Sequence, residues 1–74
     1  MLDQLKGIIT NYVEVDESII VPSARFSEDL GFNSYDFMCM LGDIEDELDI
    51  EIDQDEAARS KTIEELITYL EGIE

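Results

Sequence analysis

The chain has 74 residues, 20 acidic and four basic, for a formal charge of −16, with one cysteine and no histidine. That inventory excludes ordinary nucleic-acid binding, which needs cations to displace counterions. It also excludes a disulfide framework and the usual zinc spacings. The 45% hydrophobic content is too high for the sparse, highly charged composition of disordered chains, so one domain over residues 1–74 should fold against its own repulsion.

The first element is an amphipathic helix from Leu2 to about Glu14, because Leu2, Leu5, Ile8, Ile9, Tyr12 and Val13 recur at helical spacing. The segment Met1-Leu2-Asp3-Gln4-Leu5-Lys6 holds no long apolar run. It therefore reads as neither a secretory signal nor a membrane span, and a cytoplasmic location is expected. A long connection follows from Val15 to Asn33, broken by Pro22, with Ile19-Ile20-Val21 as a short extended piece. Phe26 and Leu30 are the residues expected to pack it down. Asp29-Leu30-Gly31 reads as a tight turn, the glycine supplying a positive φ. Asn33-Ser34 then reads as the cap of a second helix, with Asp36 in its first turn.

That helix should run from Ser34 to about Leu48. At about 100° per residue, Phe37, Met40, Leu41, Ile44 and Leu48 share one core-facing stripe. Tyr35, Met38, Cys39 and Gly42 fall on roughly the opposite side, beside Glu45 and Asp46, and Asp36, Asp43 and Glu47 form an acidic flank. An aromatic and a methionine rimmed by carboxylates suit a docking surface; equally, Tyr35 and Met38 suit packing against the long loop. Cys39 has no histidine to activate it and is expected to be accessible and non-catalytic. Asp49-Ile50-Glu51-Ile52 reads as a connection with inward isoleucines, and Asp53 to Arg59 as a short helix. Thr62-Ile63-Glu64-Glu65 fits a capping box for a last helix that buries Ile63, Leu66, Ile67 and Leu70, ends at Tyr69 or Leu70, and stops at Gly72.

The expected fold is therefore all-α, a small bundle of three main helices and a short third one. The run Phe26-Ser27-Glu28-Asp29-Leu30-Gly31-Phe32-Asn33-Ser34-Tyr35-Asp36 resembles the attachment site of acyl carrier proteins. The likeness extends, without needing a gap, from about Ala24 to Leu70. Glu45-Asp46-Glu47-Leu48-Asp49-Ile50-Glu51-Ile52 is similar to the acidic close of that family's second helix, and Ala57, Thr62-Ile63, Ile67 and Tyr69-Leu70 fall at its later core and capping positions. Departures cluster around the serine and the outward face: Asn33 for the usual aspartate, Tyr35 for leucine, Cys39 for a glutamate, Gly42 for an apolar residue, and Ser60 for another. They suggest a divergent carrier with a restricted set of partners.

The resemblance implies a carrier, not a catalyst. A phosphopantetheinyl transferase would attach 4′-phosphopantetheine from coenzyme A to Ser34. The arm's thiol would hold acyl groups for fatty-acid, polyketide or related enzymes whose basic surfaces dock at Tyr35, Asp36, Met38, Cys39, Glu45 and Asp46. It also implies a monomer, and a sheltering cavity for which Met40, Leu41 and Ile44 are candidates; on the residues alone those three are plain core. Two other readings stand beside this one. The cargo could be an aminoacyl group, such as D-alanyl or peptidyl. Alternatively, the nine acids among the fourteen residues from Asp43 to Glu56 could mimic a nucleic acid or bind cations, though no catalytic residue or metal ligand set is assigned and the stretch lacks a calcium loop's glycine.

Overall fold

Residues 1–73 are described by a computed structural model. Helix α1 spans Leu2–Ile9, a 3₁₀ turn Glu17–Ile19, α2 Ser34–Leu48, α3 Gln54–Ala57 and α4 Ile63–Ile73. Among the described residues the only β pairing is one isolated bridge, Arg25 with Thr62. The architecture is the expected helical bundle.

The core is apolar throughout, with no polar or charged side chain buried in it among the described residues. Leu5 and Ile9 of α1, Met40, Leu41 and Ile44 of α2, and Ile63, Leu66 and Leu70 of α4 meet there fully buried, with Ile20 from the long connection. Burying each such side chain is favourable by about 1.5–3 kcal/mol. Phe37, Leu48 and Ile67 are half-buried and pack against this cluster.

Four element boundaries differ from the sequence expectation. Helix α1 stops at Ile9 rather than near Glu14. The Thr10 hydroxyl donates to the carbonyls of Lys6 and Gly7, and the next backbone bonds shorten to three-residue steps, Asn11 to Ile8 and Tyr12 to Ile9. Such side-chain bonding competes with helix continuation. Ile19-Ile20-Val21 is not extended: Asp16 accepts from the Ser18 N–H at 2.8 Å and winds the segment into the 3₁₀ turn, driving Ile20 inward. The short helix occupies Gln54–Ala57, with the Asp53 carboxylate capping Asp55 and Glu56, so Arg59 lies beyond it. Helix α4 runs through Gly72 to Ile73, and that glycine is not its stop.

The caps on α2 and α4 position everything that follows. The Asn33 side chain accepts from the Asp36 N–H at 2.7 Å. Thr62 Oγ1 accepts from the Glu65 N–H at 3.2 Å while Glu65 accepts from the Thr62 N–H at 3.1 Å, the reciprocal box foreseen. At its far end α2 closes on Asp49, left-handed at φ 55°, and the Ile50 N–H reaches the Glu45 carbonyl. This is the cap geometry usually given to glycine.

Candidate functional site

The segment preceding α2 is knotted by its own hydrogen bonds. The Asp29 carboxylate accepts from the Arg25 N–H at 2.8 Å and from its guanidinium at 3.2 and 3.3 Å, and the N–H groups of Asp29 and Leu30 return to the Arg25 carbonyl. These donors, the guanidinium first and the backbone N–H second, hold the Asp29 carboxyl below the usual carboxylate range. Gly31 takes φ +80°, a conformation that a side chain would resist. The Phe32 N–H then closes onto the Phe26 carbonyl. Phe26 and Leu30 are buried as expected, and Phe32 joins them.

Behind Ser34 runs a column of rings. Phe26 meets Phe37 edge-on at 5.1 Å and Phe32 at 5.7 Å, and Phe32 lies 6.2 Å from Tyr12. The Tyr12 hydroxyl donates to Asp43 on α2, and that bond pushes its phenol up to about 12. Ser34 therefore opens a helix whose start is fixed by the Asn33 cap, the aromatic column and the Arg25–Asp29 knot. Its side chain is exposed, and Asn33, not Ser34, supplies the cap bond. Beside it lies a cleft of about 640 Å³, lined by the apolar Phe26, Phe32, Phe37 and Met38 together with Arg25, Glu28 and Lys61.

The proposed docking residues separate in their surroundings. Tyr35 is 76% exposed and Met38 37%, so both stand open next to Ser34, and Asp46 is exposed one turn beyond Gly42. Asp36 is half-buried in the first turn. Cys39 is half-buried rather than freely accessible. Glu45 turns inward to accept from the Ile52 N–H at 2.9 Å, bracing the connection to α3. Met40, Leu41 and Ile44 line no part of the cleft; they are closed core.

The sequence reading placed Tyr12 only in the apolar stripe of the first helix and did not single out Arg25 or Lys61. Arg25 carried a signal, since a cation three and four residues before Glu28 and Asp29 forms ion pairs with both. The Tyr12 bond to Asp43 and the place of Lys61 beside Phe26 carried none, because those neighbours are distant in the chain. Among the described residues, no group of three or more acidic, histidine or cysteine side chains is arranged to hold a metal ion. No helix there is long and apolar enough to cross a membrane.

The family model described as phosphopantetheine attachment site matches residues 3–70. The site's geometry fits the group that this family carries: an exposed hydroxyl at a capped helix start, beside a cleft lined by both apolar and polar side chains. The chain belongs to the phosphopantetheine-attachment family of carrier domains, which bear a covalent 4′-phosphopantetheine group, work with phosphopantetheinyl transferases and biosynthetic enzymes, and are not themselves catalysts.

Proposed function

We propose that Ser34 is the attachment residue and that the chain is an acyl carrier, presenting acyl intermediates of fatty-acid, polyketide or related biosynthesis to partner enzymes. The observation that carries this reading is the division of labour at the start of α2. Asn33 caps the helix, which leaves the Ser34 hydroxyl exposed and free of that structural duty. When bound, the arm supplies a thiol that holds acyl groups as thioesters. The chain's own residues orient its root. The N–H groups of the first turn of α2 favour a phosphate on Ser34 by about 0.3–1 kcal/mol, while Asp36, in the same turn, opposes it. Tyr35 and Met38 offer apolar contact to a docking enzyme, and Asp36 and Asp46 steer a basic surface towards them.

Intact mass spectrometry after incubation with coenzyme A, magnesium and a broad-specificity transferase tests the assignment. One phosphopantetheinyl unit is expected on the wild-type chain and none on Ser34→Ala. A modified Ser34→Ala chain would move the site to Ser18, Ser23, Ser27 or Ser60.

A further inference from the structure

The connection from α2 to α3 is held by side chains from two different helices. Helix α2 closes on the left-handed Asp49, and the Ile50 N–H returns to the Glu45 carbonyl at 3.2 Å. Glu45 Oε2 then accepts from the Ile52 N–H at 2.9 Å, and the Tyr69 hydroxyl of α4 accepts from the Asp53 N–H at 3.0 Å. Ile52 is thereby seated in the core, and Asp53 is placed to cap α3 through the N–H groups of Asp55 and Glu56. Ala58 and Ser60, just beyond α3, line the same cleft as Ser34.

Glu45 also stands within reach of a docked partner. It lies two turns along α2 from the exposed Met38 and next to the exposed Asp46, and it is itself only half-buried. One oxygen of its carboxylate serves a single backbone donor. An arginine guanidinium offers two parallel charged donors, a bidentate pairing that occupies both oxygens of a carboxylate. We propose that Glu45 is a docking latch: an arginine of a partner seated on α2 draws its carboxylate outward, and the connection to α3 opens. The Ile52 N–H then lacks an acceptor, and a buried unpaired donor is costly enough to drive that segment towards water. Docking on α2 is in this way transmitted to α3 and to the residues that follow it into the cleft lining. The latch rests on the reading that basic partner surfaces meet α2, and is independent of the cargo.

Amide hydrogen exchange of the full chain, followed by NMR with and without a saturating hexa-arginine peptide, tests it. The peptide should shift amides of α2 and speed exchange at Ile52 by about tenfold or more, with no acceleration at the buried Leu41. Glu45→Gln should still bind the peptide yet keep Ile52 protected, because the carboxamide oxygen accepts while its NH₂ cannot take the second donor. Glu45→Ala should exchange rapidly at Ile52 without any peptide. An Ile52 amide that stays protected in the saturated wild-type chain would overturn the latch and leave basic docking standing. So would a Glu45→Gln chain that responds as the wild type does, and this variant decides the matter even where Glu45→Ala fails to fold. A peptide that shifts no α2 amide would overturn the docking reading and the latch with it.

Discussion

Tyr12 ties the end of the first helical segment to α2 through a phenol that donates to Asp43, and this bond has a measurable signature. Its pKa is raised from 10.0 to about 12, chiefly by the Asp43 hydrogen bond, because ionising the phenol would destroy the donor beside a carboxylate. A folded-state pKa above the unfolded value means the bond's contribution is fully present below about pH 10 and is lost as pH rises towards 12. The phenolate absorbance of native wild type minus that of Tyr12→Phe should therefore titrate near 12, and near 10.0 once the chain is denatured. A native difference curve centred on 10.0 would show that the Tyr12–Asp43 bond does not persist in solution. Residues of this kind are illegible in a sequence. The Asn33 cap and the Thr62–Glu65 box were foreseen because both partners lie within four positions. Tyr12 and Asp43 are 31 apart, and Glu45 looked like an outward acid because nothing local revealed the Ile52 N–H it serves.

At the scale of elements, helical periodicity located α2 to the residue, since its core stripe, cap and acidic start all agreed. The same periodicity overran α1, because Tyr12 and Val13 still pack against the core after the backbone has left the helix. An apolar residue in a turn preserves the pattern without preserving the conformation. The connection between α1 and α2 likewise acts as part of the core. Ile20 is fully buried, and Ala24, Phe26, Leu30 and Phe32 follow it inside. Ile20→Ala should therefore cost what a core helix position costs, about 2–5 kcal/mol. That is comparable to the whole net stability of ~3–5 kcal/mol expected for a core this small. Urea denaturation should find the variant largely unfolded at room temperature. A loss below about 1 kcal/mol would mean that the helices hold together without the loop. Such a result would also remove the rigid platform on which Ser34 is presented.

The molecule as a whole confines a formal charge of −16 within 28 × 22 × 19 Å. Exposed charges are screened over about 8 Å at physiological ionic strength, so acids on neighbouring faces still repel one another, and only Arg25 forms ion pairs among the described residues. Repulsion of this kind raises the free energy of the compact state more than that of the expanded one. It would nevertheless assist encounter with the proposed basic docking surfaces, which the same field would steer towards α2. Sodium chloride should raise the melting temperature progressively, and magnesium chloride should raise it further at equal ionic strength, because a divalent ion neutralises clustered carboxylates more effectively. The acids are not grouped to hold an ion among the described residues, so the magnesium response should climb without saturating at one equivalent. A sharp plateau at a single magnesium per chain would reveal a built site and refute diffuse screening. A melting temperature indifferent to both salts would show that the acidic surface is too well solvated to strain the fold, leaving partner attraction as its principal consequence.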